Sequence, residues 1–223
     1  MTEAEWVSSY NSFLMLKACR RIIWRYPRKG RLFTAACCYR IWPMLADKRS
    51  REAVDIAASY ADGLVSVHEL TAAFDGAKAA HNDAFQVKGK LGASAEWAAQ
   101  FSASLDPWFA ASRASNFAYV AAGDKVLEPG PEHHAQAHLL RCIFGPLPFR
   151  SVTFEPPWLA WNNGSVVKLA QAIYDNGTFD RLPDLADALE QAGCKDADML
   201  RHCRCPGAHV RGCWVVDLIL GKT

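Results

Sequence analysis

Residues 181–223 read RLPDLADALEQAGCKDADMLRHCRCPGAHVRGCWVVDLILGKT and carry the clearest helix punctuation in the chain. Pro183 stands where a proline suits the first turn of a helix, and Gly193 follows the last apolar residue as a C-terminal cap. Asp196 can cap a second helix, which a Pro-Gly pair ends. Residues 209–220 are then predicted to form one last helix. This segment therefore predicts a closing unit of short helices.

The preceding part of the chain repeats helical signals. Thr2 with Glu5, and Ser66 with Glu69, match the capping-box sequence that opens a helix. Residues 71–122 are rich in alanine, which lets helices approach closely, and they carry widely spaced aromatic residues that fill the remaining gaps. We therefore predict an all-α protein built as an irregular multi-helix bundle.

Two segments rich in proline or glycine interrupt this helical pattern. Residues 123–130, GDKVLEPG, predict a linker between an N-terminal helical region, 1–122, and a C-terminal helical region, 131–223. We expect the two regions to pack together as one unit. Residues 145–161, GPLPFRSVTFEPPWLAW, contain four prolines. This second segment is predicted to be non-helical and to wrap across the C-terminal helices.

The bulk composition indicates an ordered globular protein that acts through local features. Hydrophobic residues make up 51% of the 223-residue chain, charged residues make up 22%, and the net charge is only +2. The N-terminal MTEAEWVSSY has two acids and no basic residue, unlike a secretory signal, and no apolar run approaches the ~18–20 residues that span a bilayer. We therefore expect reduced thiols, a cytoplasmic location and no membrane partner.

A strongly basic stretch lies between residues 17 and 31, where no acidic residue occurs and Trp24 and Tyr26 are interleaved. Basic residues with aromatic neighbours can follow a phosphate backbone, so the stretch is a candidate nucleic-acid interface. The alternative is a solvated helix face whose arginines pair with acids or carbonyl groups elsewhere. The candidate residues are Lys17, Arg20, Arg21, Arg25, Arg28, Lys29 and Arg31.

Four candidate zinc ligands fall within eleven residues near the C-terminus: Cys203, Cys205, His209 and Cys213. Zinc prefers four tetrahedral nitrogen or sulfur ligands. His209 and Cys213 are four residues apart, so a helix would point both toward one place, and Cys194 and His202 lie nearby in the sequence. Against a zinc site, Cys-x-Cys spacing is tighter than the usual spacer. In the alternative interpretation Cys213 packs in the core and His209 caps a helix or faces solvent.

The pair of His209 and Cys213 is also the candidate for a hydrolytic centre. A catalytic Cys–His pair needs a thiol of lowered pKa, an orienting third group and an oxyanion site, and no pattern in the sequence indicates the last two. The chain also lacks a phosphate-binding glycine loop and a G-x-S-x-G elbow. We therefore predict no catalytic residue, although a site assembled from distant residues stays open.

These observations favour a non-catalytic helical module, interacting or regulatory, with another protein as its partner and no cofactor. Two alternatives remain open. The first is a nucleic-acid-binding protein that uses the basic stretch of residues 17–31. The second is a zinc-stabilised module, or a hydrolase, that uses the Cys/His cluster with zinc as its cofactor.

Six stretches toward the two ends of the chain are considered together: MTEAEW at 1–6, RLFTAACCYRIW at 31–42, YADGL at 60–64, IFGPLPFRSV at 143–152, LADALEQAGCKDADMLRHCR at 185–204 and HVRGCWVVDLILGK at 209–222. Together they resemble a large paralogous family of uncharacterised helical proteins from planctomycete bacteria. The resemblance implies a bacterial cytosolic setting and brings no catalytic residue. Two positions depart from the family pattern: Pro43 interrupts a helix that is expected to continue, and Cys205 stands where a glycine is expected.

Overall fold

The computed structural model describes residues 1–124, 130–152 and 156–222, apart from the side chains of Lys90 and Pro156. Within these ranges the backbone forms thirteen α-helices, two short 3-10 helices and no strand. The prediction of an all-α multi-helix fold is confirmed. Residues 125–129 of the predicted linker and 153–155 of the predicted wrapping segment lie outside the described ranges.

The helices follow one another through short connections, and both predicted capping boxes form, at the starts of the first and sixth helices. None of the described helices is both long and apolar enough to cross a membrane. The helices are α1 Glu3–Ser8, α2 Ser12–Ala18, α3 Arg20–Arg25, α4 Pro27–Arg40, α5 Lys48–Ala61, α6 Val67–Gly92, α7 Ser94–Ser102, α8 Pro107–Ala121, α9 Pro131–Phe144, α10 Pro156–Asn176, α11 Leu182–Gln191, α12 Ala197–Arg204 and α13 Trp214–Leu220, with 3-10 helices at Trp42–Met44 and Phe179–Arg181.

The chain divides into two compact units, Met1–Leu140 and Arg141–Thr223. The division falls inside α9 and not at residues 123–130, where the sequence predicts a linker. A helix that runs through the division gives no proline or glycine signal there, which is why the sequence alone favoured the earlier position.

In the N-terminal unit, α4 occupies the centre and packs against α5, α7 and α8. Every residue of α4 from Lys29 to Cys38 is buried. Gly30 lets α3 approach closely, since a Cβ at this position would lie 2.8 Å from the side chain of Ile23. A smaller cluster is built largely from alanines around Leu70, consistent with close helix packing: Ala53, Ala57, Ala77 and Ala103.

In the C-terminal unit, α10 packs against α11 and α13, and α11 packs against α12. Their shared core includes the fully buried side chains of Leu185 and Met199. Pro183 lies in the first turn of α11, as predicted. The side chain of Asp196 accepts hydrogen bonds from two backbone N–H groups of α12, at 2.9 and 3.0 Å. The predicted start of α12 is therefore correct and has the expected physical cause.

The last helix is shorter than predicted, because α13 begins at Trp214 and not at residue 209. Gly212 has a φ of +94°, a left-handed conformation that favours glycine and does not continue a helix. His209 and Cys213 therefore do not share a helical face. The prediction that one helix points both side chains toward the same place was wrong.

The proline-rich segment of residues 145–161 is partly helical, whereas no helix was predicted there. Pro156 and Pro157 open α10, because a proline suits a first helical turn, where the backbone N–H has no partner within the helix. The helix is then interrupted where Asn162 and Asn163 adopt φ values of +47° and +56°. Asparagine tolerates this left-handed conformation better than most residues.

Candidate metal centre

Four cysteine and histidine side chains of the C-terminal unit converge on one point: Cys142, His202, His209 and Cys213. Their four ligand atoms all lie within 4.8 Å of one another. Cys142 lies near the end of α9, His202 in the last turn of α12, and the other two in the segment that leads into α13. The group therefore joins three separate parts of the unit.

Local backbone structure explains how the segment before α13 delivers two of these side chains. Gly212 turns the chain in its left-handed conformation, and the N–H of Cys213 donates to the carbonyl of Val210 at 2.9 Å. Cys213 then stands at the start of α13, where its own carbonyl accepts the hydrogen bond of Asp217. This tight turn brings His209 and Cys213 to one place without a shared helix.

Two distances within the group are close to those between neighbouring ligands of a four-coordinate metal. Cys142 Sγ lies 3.6 Å from His209 Nδ1, and His202 Nε2 lies 3.2 Å from Cys213 Sγ. Zn–S and Zn–N bonds of usual length at tetrahedral angles would separate neighbouring ligand atoms by about 3.3–3.8 Å. A zinc ion therefore fits among these atoms with small side-chain adjustments.

The imidazole of His209 is held in the orientation that a metal ligand needs. Its Nε2 lies 3.1 Å from the backbone carbonyl oxygen of Cys205. A carbonyl oxygen only accepts hydrogen bonds, so Nε2 carries a hydrogen and Nδ1 is the nitrogen that can bind a metal. Nδ1 is also the atom that faces Cys142. Metal-bound histidines commonly donate their other N–H to a backbone carbonyl in this way.

The electrostatics of the group favour a thiolate at Cys213. Burial alone raises the pKa of this thiol, but hydrogen bonds from Cys142, His202 and His209, together with the charge of His202, hold the pKa well below its ordinary value. By contrast, burial raises the pKa of Cys38 to about 12. Since the thiolate is the form of cysteine that binds metals, Cys213 differs in chemistry from a cysteine that only fills the core.

The pKa of His209 shifts in the direction expected for a partner of that thiolate. Burial lowers this pKa, but the hydrogen bond and charge of Cys213, with the hydrogen bond to Cys205, raise the pKa above its ordinary value overall. A cationic imidazole beside a thiolate neutralises the buried charge. A divalent metal would neutralise the same charge and would displace the protons of the cysteine and histidine side chains.

Aromatic packing fixes the surroundings of the group. The ring of His202 lies 5.4 Å from that of Trp214 and 4.8 Å from that of His209. Cys142 and Cys213 are buried, at 2% and 0% exposure, whereas the two histidines are half-buried. The sulfur side of the group thus faces the core, and the histidine side lies nearer to solvent.

The sequence identified half of this group. It predicted His209 and Cys213 as ligands and noted His202 as a neighbour, but it did not suggest Cys142, which is 67 residues from His209. No local motif surrounds Cys142, so only its position in the folded chain reveals it.

The other two predicted ligands, Cys203 and Cys205, are not part of the group. Cys203 points into the hydrophobic core, and burial raises its pKa. The side chain of Cys205 is exposed, and its contribution is the backbone carbonyl that orients His209.

The structure separates the seven predicted nucleic-acid-binding residues into two sets. Lys17, Arg20, Arg21 and Arg25 are exposed. The remaining three are engaged within the fold. Arg28 pairs with Asp62 at 2.9 Å, Lys29 is buried at 4% exposure, and Arg31 donates to the carbonyl groups of residues 104 and 105. The seven therefore do not form one continuous basic surface.

Comparison with known proteins gave no match to a protein-family model, a curated protein or a solved structure. The resemblance to the planctomycete family stays a prediction.

Proposed function

We propose that the C-terminal unit is a zinc-stabilised, non-catalytic helical module, with Cys142, His202, His209 and Cys213 as the ligands. The observation that supports this proposal most strongly is the convergence of two sulfur and two nitrogen atoms within 4.8 Å, with His209 turned by the Cys205 carbonyl so that Nδ1 faces the group. Two sulfur and two nitrogen ligands are a common set for structural zinc.

The ligand set supports a structural zinc in preference to a catalytic one. Catalytic zinc sites keep one position for water or substrate, whereas four protein ligands close the coordination shell. A thiol nucleophile is also disfavoured, even though the pKa of Cys213 is lowered, because its side chain is 0% exposed and no substrate reaches it. A closed centre has no position for a substrate, so the unit would act through its outer surface. We propose that this surface binds a protein partner.

A metal at this position would stabilise the unit by connecting elements that make few direct contacts with one another. It would join the end of α9, the last turn of α12 and the segment before α13. Because such a site does not exist in the unfolded chain, the free energy of metal binding contributes directly to the free energy of folding.

The proposal is tested by measuring zinc in the purified chain, after dialysis against a competing chelator of moderate affinity. We expect about one zinc per wild-type chain. Cys142→Ser and His202→Ala should each lose the metal, whereas Cys205→Ser should keep it. Cys205→Ser is a matched control because this thiol is exposed, lies in the same segment and contributes only its backbone carbonyl.

A second measurement separates loss of the metal from loss of the fold. Cobalt(II) added to the metal-free wild-type chain should give the visible and sulfur-to-metal absorption of a tetrahedral site with thiolate ligands. A chain that stays folded, holds no zinc and gives no such absorption would overturn the proposal. Equal zinc loss in Cys205→Ser and Cys142→Ser would overturn the assignment of the ligands.

A further inference from the structure

The N-terminal unit contains a cavity of about 420 Å³ that is unrelated to the cysteine and histidine group. It lies between α2 and α8, with α3 and α9 completing its walls, and every residue that lines it belongs to the N-terminal unit. Cavities that bind small molecules typically have volumes of about 300–1,000 Å³. The volume therefore suits one small ligand.

The walls of the cavity offer apolar surface. Leu16 and the half-buried ring of Trp108 contribute to its interior, and Phe13, which is 64% exposed, stands at the opening. An exposed phenylalanine beside an open apolar cavity leaves hydrocarbon surface in water, which a hydrophobic ligand would cover.

The polar groups of the cavity are already paired within the protein. Ser12 Oγ lies 2.8 Å from His133 Nδ1, and Gln136 Nε2 donates to the carbonyl of Ser115 at 3.0 Å. The hydroxyl of Tyr119 bonds to the side chain of Asn116. These contacts leave little demand for hydrogen bonds from a ligand, so the deep part of the cavity favours an apolar group.

Three cations of the basic stretch stand at the opening: Lys17, Arg20 and Arg21. All three are exposed, and the guanidinium of Arg20 lies 5.5 Å from the centre of the Trp108 ring. None of the residues that line the cavity is acidic. Within the described ranges no carboxylate lies within 4.0 Å of these three cations. Their positive charge therefore remains available to an anion from outside.

We propose that this cavity binds an anionic amphiphile, with its hydrocarbon chain between α2 and α8 and its carboxylate or phosphate head at Lys17, Arg20 and Arg21. The combination of an apolar interior and a cationic opening excludes both a neutral apolar molecule and a small hydrophilic anion as the best ligand. Two sources supply this chemistry, a free fatty acid and the headgroup and chain of a membrane phospholipid. The inference uses none of the proposed zinc ligands and stands independently of them.

The first test is calorimetric titration of the full chain with dodecanoate, below the concentration at which it forms micelles. Dodecanol supplies the same chain without the charge, and acetate supplies the charge without the chain. We expect saturable binding of dodecanoate. Dodecanol should bind at least about tenfold more weakly, and acetate should not bind. Equal affinity for dodecanoate and dodecanol, or no saturable binding of dodecanoate, would overturn the proposal.

Two variants and one control locate the binding site. Arg21→Glu reverses a charge at the opening and should weaken dodecanoate binding by about tenfold or more. Arg25→Glu is the matched control, since Arg25 is exposed in the same stretch but does not line the cavity. Ser112→Leu adds hydrocarbon inside the cavity and should block the chain of the ligand. Equal losses for Arg21→Glu and Arg25→Glu, or no loss with Ser112→Leu, would contradict the assigned site.

Sedimentation with vesicles distinguishes the two sources of ligand. If a membrane phospholipid is the source, the chain should sediment with vesicles that contain phosphatidylglycerol and not with phosphatidylcholine alone, and Arg21→Glu should abolish the effect. If a free fatty acid is the source, dodecanoate binds and the vesicles do not. Binding of a single-stranded oligonucleotide at these same arginines, without dodecanoate binding, would replace the proposal with a nucleic-acid interface.

Discussion

The indole ring of Trp214, next to the proposed ligand Cys213, lies directly against the backbone of Gly145. A Cβ at Gly145 would lie 2.6 Å from this ring, and the φ of Gly145 is +51°. Both the contact and the left-handed backbone therefore require glycine. The pair fixes the chain after α9 against the start of α13, beside the proposed metal centre.

We predict that Gly145→Ala lowers the free energy of unfolding of the C-terminal unit by about 3 kcal/mol, through backbone strain and overpacking together. Gly177→Ala is the control, because Gly177 has a φ of +66° but no atom within 4 Å of a Cβ. Its cost should be about 1 kcal/mol. Denaturant unfolding of both variants measures the difference, and equal costs would show that the contact with Trp214 is unimportant.

We expect His81 to make the stability of the N-terminal unit depend on pH. It is 5% exposed, and its ring stacks on Trp97 with centroids 4.5 Å apart. Burial lowers its pKa, so the folded state favours the neutral imidazole. Below the unfolded pKa of about 6.5 the unfolded chain binds more protons than the folded chain, so stability falls as the pH falls toward the folded pKa.

We predict that His81→Phe, which keeps an aromatic ring beside Trp97, removes this part of the pH dependence. Free energies of unfolding measured at about pH 7.5 and about pH 5 should differ less in the variant than in the wild type. Comparing the two chains cancels the contributions of the other histidines. An unchanged difference would show that His81 does not favour its neutral form in the folded state.

At the scale of the helices, the sequence correctly predicted helix boundaries where the residues that set the boundary are close neighbours in the chain. Asp196 caps α12 through its own neighbours, and the Ser66–Glu69 capping box opens α6. The last helix was predicted too long, because the apolar residues of 209–220 suit a helix while the φ of +94° at Gly212 prevents one. A glycine inside an apolar stretch permits both conformations, and only the folded chain shows which it adopts.

The proposed zinc connects helices, so its removal should act on particular elements. We predict that a strong chelator raises amide hydrogen exchange in α12 and α13 roughly tenfold or more, because these elements lose their link to α9. Exchange in α4, which lies in the other unit, should stay the same. Hydrogen exchange followed by mass spectrometry makes both measurements on one sample. Unchanged exchange in α12 would contradict a stabilising metal.

At the scale of the whole molecule, the sequence predicted the helical class but not the assembly of the candidate site. Fold class follows from periodicity and caps, which are repeated along the entire chain. The Cys/His group depends on Cys142, which approaches His209 only after α9 and the segment before α13 have folded together. Cys203 and Cys213 were both predicted as ligands and both are fully buried, but it is the Cys213 sulfur that has the His202 nitrogen beside it, at 3.2 Å.

The cavity of the N-terminal unit could likewise not be predicted from the sequence. The basic stretch was visible in the sequence, but which of its cations remain exposed depends on partners far along the chain, such as Asp62 for Arg28. Three exposed cations line the same cavity as Trp108, and no sequence pattern joins these positions. The fold therefore divides one charge cluster into a structural part and a part available to a ligand.

The most direct test of the proposed zinc site is X-ray absorption spectroscopy at the zinc edge of the purified full chain. We predict a four-coordinate ion with two sulfur ligands at about 2.3 Å and two nitrogen ligands at about 2.0–2.1 Å. Cys142→Ser should lose one sulfur from this shell or lose the ion, and Cys203→Ser should leave the shell unchanged. A folded chain without zinc, or a shell dominated by oxygen, would contradict the central claim.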